Sequence, residues 1–178
     1  MTLRPWLQLV RLPAVFTAFA NVLAAQLIVS GGRPDPATLL ALLGASGCLY
    51  LAGMALNDCC DLELDRRERP GRPLPSGQLP LRGAWALGLG LLVAGVALAA
   101  LAGVAAFTVA LTLAVLIVLY DGWLKAGPLG PPAMAACRYA NWLLGLAPAG
   151  LTAASWLLPL PLFAYVLGLT WLSRGETG

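Results

Sequence analysis

Four stretches of this sequence carry no charged residue: Leu12 to Ser30, Ala37 to Leu56, Gly83 to Tyr120 and Tyr139 to Ser173. A helix needs about 20 mostly apolar residues to cross a bilayer. The first two stretches suit one crossing each. The last two are too long for one and suit two, with breaks near Gly103 and near Ser155–Pro159. The expectation is an all-α integral membrane protein of six transmembrane helices, a single domain over residues 1–178. A transmembrane barrel is excluded: its strands alternate over about ten residues, whereas these runs are unbroken Leu, Ala, Val and Gly. A mean hydropathy of +0.82 puts the whole chain in the same class.

The first crossing imitates a signal peptide, with Arg4 and Arg11 before an apolar run and Val22-Leu23-Ala24 as a cleavage-like site. The run continues through Leu27-Ile28-Val29, so an uncleaved first span is expected.

Basic residues give the orientation. Arg4 and Arg11 precede the first span; Arg66, Arg67, Arg69, Arg72 and Arg82 lie between the second and third; Lys125 follows the fourth; Arg174 follows the sixth. Arg33 stands on the other side and Arg138 inside the fifth span. Because cytoplasmic loops gather Lys and Arg, both termini and residues 57–82 are expected in the cytoplasm. The net charge of +3 then reflects topology and gives no sign of nucleic-acid binding. The preference for Arg over Lys, with abundant Ala, Leu and Gly, suggests a GC-rich bacterial source and hence a bacterial inner membrane.

Nearly half of the charge, nine of the 19 charged residues, is concentrated in residues 57–77, NDCCDLELDRRERPGRPLPSG. On a helical extension of the second span, Asn57, Asp61 and Asp65 recur at i, i+4, i+8, with Asp58 beside them, and so share one side. Glu63 points elsewhere. Like charges on one face repel, and an oxygen-only set suits a hard cation such as Mg²⁺, which takes one or two carboxylates plus water and phosphate. The chain has no histidine, and Cys48, Cys59, Cys60 and Cys137 lack zinc-type spacing. Arginine forks match phosphate oxygens, so the bases that follow suggest a metal-bridged diphosphate. Pro70 to Gly77 cannot continue a helix and would form a loop carrying Arg72 over the site. The plainer reading is a set of topology charges at a helix end; acids contribute little to topology, which favours the site.

Asn57-Asp58-x-x-Asp61-x-x-x-Asp65, followed by Arg72-Pro73-Leu74-Pro75-Ser76-Gly77, resembles the paired signature of the UbiA superfamily of intramembrane prenyltransferases. RLPAVFTAFANVLAA at 11–25 is similar to that family's first helix, YDGWLK at 120–125 to its Tyr…Lys element, and CRYANWLLG at 137–145 to its fifth helix. The overall style, including TWLSRGET near the end, is similar to the branch found in bacterial ebo gene clusters.

The resemblance implies the N-terminal two-thirds of a nine-helix bundle around a cavity open to lipid. It implies a Mg²⁺-dependent transfer of a prenyl group from a prenyl diphosphate to an aromatic or other lipophilic acceptor. By motif, Asn57, Asp58, Asp61 and Asp65 would hold Mg²⁺. Lys125 would act with those aspartates, and Asn57, Arg69, Arg72, Tyr120, Arg138 and Asn141 would bind substrate. Metal and basic clamps neutralise a leaving diphosphate, and no histidine base is required.

Two departures stand out. The chain stops just past six spans, so the family's second aspartate-rich motif is missing; after the loop the acids are Asp121 and Glu176. A fragment, a short form or a chain completed by a partner is expected. The positions between Asp58 and Asp61, often aromatic in the family, are Cys59 and Cys60, read as packing residues. Asp121 could supplement the metal site or cap the loop, and the loop cap is favoured. Asn21 and Asn141 are polar within spans, and Trp6, Trp123, Trp156 and Trp171 read as an interfacial belt. Two alternatives stay open: a CDP-alcohol phosphatidyltransferase-type enzyme, against which Asp121-Gly122 lacks the following Ala-Arg, and a catalytically incomplete membrane protein. ALND at 55–58 and VLYD at 118–121 each end a span at the charged face.

Overall fold

A computed structural model describes residues 3–175, with no side-chain description at Arg174 and Gly175. The described chain is helical throughout, with no strand. A short α1 (Arg4–Leu9) and a 3-10 turn (Leu12–Val15) lead into α2 (Phe16–Val29). Then come α3 (Pro36–Cys60), α4 (Leu62–Glu68), α5 (Leu81–Ala100), α6 (Val104–Leu119), a π-helical turn (Tyr120–Leu124), α7 (Gly130–Leu146), α8 (Ala153–Leu157) and α9 (Leu160–Gly175).

Local chemistry sets the boundaries. Gly31 and Gly32 turn the chain at positive φ (60° and 86°). Asp35 then caps α3, its carboxylate accepting from the backbone N–H and the hydroxyl of Thr38, both at 2.8 Å, with Pro36 in the first turn. Gly103 separates α5 from α6 as expected.

Five segments are long and apolar enough to cross a membrane: Leu12–Val29, Pro36–Cys60, Leu81–Ala100, Val104–Leu124 and Ala153–Ser173. Five of the six expected spans are thus found among the described residues by length and composition. The charge-free run from Tyr139 is not two spans, because α7 begins at Gly130 and runs through Arg138 before ending at Leu146. Arg138 and Asn141 are tolerated there because they face the protein interior and not lipid. The break after it lies at 147–152, earlier than Ser155–Pro159. Residues 121–132 are also more helical than expected: Pro131 and Pro132 occupy the first turn of α7, where a missing N–H costs nothing.

Helix α3 is the centre. It packs along α5 and also touches α2, α6 and α7, while α2, α6 and α9 pack on α7. Close approach depends on small residues. A Cβ on Gly95 of α5 would sit 2.7 Å from Leu49 Cγ, and one on Gly145 of α7 would sit 3.1 Å from the Val22 Cα of α2. Buried polar groups tie the same helices. Gln26 Nε2 donates to the Gly145 carbonyl (2.6 Å), Ser46 Oγ donates to Asn141 Oδ1 (2.7 Å), and Asn141 Nδ2 donates to the Ala18 carbonyl (3.1 Å). The outward surfaces of α5 and α9 display Leu89, Val93, Trp171 and Leu172, apt for lipid.

Candidate functional site

The NDCCDLELD stretch is helical but not one uninterrupted helix. α3 ends at Cys60, Asp61 bridges, and α4 resumes at Leu62. The i→i−4 ladder survives the junction: the Asp61 N–H donates to the Asn57 carbonyl (2.9 Å) and the Asp65 N–H to the Asp61 carbonyl (2.8 Å). The expected single acidic side divides into three. Asp58 and Asp65, seven residues apart and both buried, turn one way; Asp61 turns toward Lys125; Asn57 turns toward Asp121. At 100° per residue, positions seven apart nearly eclipse while four apart diverge by about 40°.

Each carboxylate meets a base. Arg72 Nη1 lies 2.6 Å from Asp65 Oδ2 and 3.3 Å from Asp58 Oδ1. Arg11 Nη2 donates to Asp58 Oδ1 at 2.9 Å, and its Nη1 reaches Met54 Sδ at 3.6 Å. Lys125 Nζ stands 2.7 Å from Asp61 Oδ1. Arg69 is looser, 3.9 Å from Asp65 Oδ1 and largely in solvent. Glu63 pairs with Arg66 on the outside, as its direction on the helix implied.

The Arg72 loop is held by its own apolar residues. Leu74 and Leu79 are buried with Leu9 and Val10 from the N-terminal segment and with Cys59 and Leu62. Cys59 is thus a packing residue, whereas Cys60 is exposed. Ser76 Oγ donates to the Arg72 carbonyl (2.7 Å), and Gly77 takes φ 76° to close the turn.

The π-helical turn delivers the opposing wall. Its bond from the Lys125 N–H to the Tyr120 carbonyl (3.0 Å) spans five residues. Such π-turns occur often at functional sites. It brings Tyr120, Asp121 and Lys125 to face the end of α3. Asp121 is buried and its Oδ1 accepts from Asn57 Nδ2 at 3.1 Å. Asp121 is therefore part of the cluster and no mere loop cap. Two signals pointed to it: it closes an uncharged run at the charged face, and VLYD parallels ALND, whose Asn57 it meets.

Arg11 is the residue that sequence reasoning missed, counted only as a topology charge. It adopts φ 49°, the one positive value among described non-glycine residues. That conformation costs an L-residue roughly 1–3 kcal/mol. It sits between α1 and the 3-10 turn, so it aims the guanidinium at Asp58. Nothing in the spelling of the chain signals that conformation.

Behind the charges opens a cavity of about 210 Å³ between α2, α3, α6 and α7. Asn57, Tyr120, Asp121 and Arg11 stand at its charged mouth; Tyr50, Arg138 and Asn141 line it deeper. Both polar ends of Asn141 are occupied by Ser46 and the Ala18 carbonyl, so it braces three helices at the cavity wall.

Among the described residues no three His, Cys, Asp or Glu side chains come together closely enough to hold a metal unaided. The donor chemistry nonetheless fits a hard cation. All nearby acidic donors are oxygens, and Asp121 Oδ2 is buried without a hydrogen-bond partner. Mg²⁺ needs only one or two carboxylates and leaves its other positions to water and phosphate.

Comparisons with known proteins identify the family and the fold. The model of the UbiA prenyltransferase family matches residues 15–173. The digeranylgeranylglyceryl phosphate synthase of Metallosphaera sedula is 37% identical over 123 residues, covering 69% of this chain and 43% of that protein. The enzyme of the same name from Methanoculleus marisnigri is 33% identical over 152 residues, covering 85% of this chain and 54% of that protein. The chain thus spans about half the length of these relatives. A solved digeranylgeranylglyceryl phosphate synthase superposes with a TM-score of 0.82 at 28% identity, over 95% of this chain and 60% of that one. A UbiA homologue from Archaeoglobus fulgidus bound to GPP and Mg²⁺ superposes with a TM-score of 0.74 at 18% identity, over 92% of this chain and 60% of that one, a likeness of fold. These relatives are archaeal and lend no support to a bacterial source; the TWLSRGET stretch runs beyond the described residues. By the match of its sequence and the arrangement of its helices, the chain belongs to the UbiA prenyltransferase family.

Proposed function

We propose that this chain builds the prenyl-diphosphate half of a membrane prenyltransferase site. The observation that carries the reading is the meeting of Asp58, Asp61, Asp65 and Asp121 with Arg11, Arg72 and Lys125 at the mouth of an apolar cavity. A diphosphate head fits the charged mouth and its prenyl tail fits the cavity.

Mg²⁺ would be held by Asn57, Asp58, Asp61 and Asp65, with Asp121 contributing its spare oxygen. When bound, it supplies positive charge to the leaving diphosphate. The chain's own residues do the rest. Arg72, Arg69 and Lys125 exchange their carboxylate partners for phosphate oxygens, and Tyr120 lines the entry. Apolar walls formed by Leu49, Leu113 and Ile117 exclude water from the allylic carbon. The acceptor is lipophilic, reaching the cavity from the bilayer; the relatives' name points to a glyceryl phosphate product, in preference to an aromatic one.

The site faces the cytoplasm in this reading, because Arg11, Arg72, Arg82 and Lys125 gather at its end of the bundle and Arg33 lies at the other. With its polar face turned to the cavity, α7 serves as a sixth crossing within a single domain.

The test is calorimetric titration of the purified chain with geranyl diphosphate, with and without Mg²⁺. Binding should require Mg²⁺ and be lost in Asp61→Ala. Equal binding by wild type and variant would remove the metal role.

A further inference from the structure

The cavity behind the charged mouth is short. On α3 its wall runs from Asn57 to Leu49, on α6 and the turn after it from Asp121 to Leu113, and on α7 from Met134 to Asn141. At 1.5 Å per residue, each of the three helices makes it about 10–12 Å deep. Its floor is a polar crossbar. Ser46 Oγ donates to Asn141 Oδ1 at 2.7 Å, and Asn141 Nδ2 donates to the Ala18 carbonyl at 3.1 Å, which ties α3, α7 and α2 together. The space around the crossbar is filled by Val22, Leu42, Ala45 and Leu144, all fully buried.

The wall carries one glycine, Gly53, a single turn below Asn57 on α3. Glycine weakens a helix interior relative to alanine, so its presence calls for a reason. On the same helix, Gly44 and Gly47 have one in packing: a Cβ would come 3.1 Å from Leu98 Cδ1 and 2.8 Å from Phe19 Cε1 respectively. At Gly53 a Cβ would meet Ile117 Cγ2 at an ordinary 3.5 Å, and the backbone there is not at positive φ. Neither packing nor backbone asks for glycine at this position. What the missing side chain leaves is open space in the cavity, just below the charged mouth.

We infer that the cavity gauges the donor's tail at two isoprene units, with Gly53 opening the passage to the second unit and the Ser46–Asn141 crossbar stopping a third. The inference rests on the donor reading above and adds the donor's length class, a ten-carbon prenyl diphosphate. An isoprene unit adds four chain bonds of about 1.5 Å and extends about 5 Å, so two units fill the depth between mouth and floor. The first unit ends near Gly53, about 6 Å below Asn57, and the second has to pass it. Volume agrees. At the roughly 30 Å³ per heavy atom that a water takes in its liquid, a twenty-carbon tail needs about 600 Å³, nearly three times the cavity's 210 Å³. A ten-carbon tail needs about 300 Å³ and fits with its first carbons at the rim.

The experiment titrates the full chain, in nanodiscs of zwitterionic lipid, with dimethylallyl, geranyl and geranylgeranyl diphosphate plus Mg²⁺, subtracting the uptake by empty nanodiscs. Geranyl diphosphate should bind wild type at least about tenfold more tightly than dimethylallyl diphosphate. Geranylgeranyl diphosphate should bind no more tightly than geranyl diphosphate. Gly53→Leu should bring geranyl diphosphate down to the dimethylallyl level, and Gly53→Ala should cost it about threefold. A further gain of about tenfold on going from geranyl to geranylgeranyl diphosphate would overturn the inference. So would a Gly53→Leu variant that binds geranyl diphosphate like wild type, or one in which dimethylallyl diphosphate falls as far as geranyl, since that is damage to the diphosphate mouth. Should Gly53→Leu not fold, Gly53→Ala decides, because its Cβ makes only an ordinary contact: it weakens geranyl more than dimethylallyl diphosphate, or the inference fails. If wild type binds all three donors equally, the donor reading stands and the gauge alone fails. If it binds none of them, the donor reading fails and takes the gauge with it.

Discussion

Arg72 Nη1 bridges Asp65 and Asp58, at 2.6 Å and 3.3 Å, across two turns of helix. One guanidinium from a proline-rich loop therefore fastens that loop to the end of α3 and neutralises two buried carboxylates. Replacing it by alanine takes one basic partner from each. Breaking a buried pair on one side costs about 3–5 kcal/mol; Arg11 and Arg69 still reach the two acids, so about 2 kcal/mol is expected for Arg72→Ala. Thermal unfolding in detergent measures this, and Mg²⁺ should restore more stability to Arg72→Ala than to wild type if the freed carboxylates take metal.

Asp121 offers a carboxylate oxygen that no described group satisfies. Asp121→Leu should lower the Mg²⁺-dependent affinity for geranyl diphosphate by about tenfold or more. Asp121→Asn should be milder, since an amide can still meet Asn57. Titrations at several Mg²⁺ concentrations separate a lost metal contact, which excess metal offsets, from a collapsed site, which it does not.

Gly145 and Gly90 form a matched pair for the packing of the bundle. A side chain at Gly145 meets the Val22 backbone of α2, which cannot yield, whereas nothing lies within 4 Å of a Cβ at Gly90. Gly145→Val should cost about 3 kcal/mol, and Gly90→Ala should cost nothing because alanine favours the helix. Paired thermal melts check both.

Ser46→Ala should remove one buried hydrogen bond to Asn141 and cost about 0.6 kcal/mol, at most about 1.7. Asn141→Leu should cost more, because it also abandons the Ala18 carbonyl. A double-mutant melt that shows additivity between Ser46→Ala and Asn141→Leu would contradict the contact.

The spans and the acidic motif were legible because both are periodic or compositional. Residues 37–56 and the break at Gly103 could be read directly from runs of uncharged residues. The same logic failed at α7, where Arg138 interrupts the run and only burial against a cavity explains its tolerance. Helical spacing grouped Asn57, Asp61 and Asp65, yet their partners lie on different sides: Lys125 comes from a distant turn and Arg72 from the loop that follows α4. Arg11 was illegible for a different reason. Its role depends on a backbone conformation that no neighbouring residue announces. Asp121 was half legible, through its place at the end of a run.

The turn at Tyr120–Leu124 holds one residue more than an α-helical turn, and it closes on Lys125, whose side chain reaches Asp61. What is fixed there is a closing bond more than a set of side chains. Gly122 has open space around it and Trp123 is exposed, so substitutions at either should be absorbed. Removing one of them would let the same Lys125 N–H close on the Tyr120 carbonyl as an ordinary α-helical bond, with Lys125 kept on nearly the same side. This short segment should therefore tolerate changes of letter and the loss of its one surplus residue.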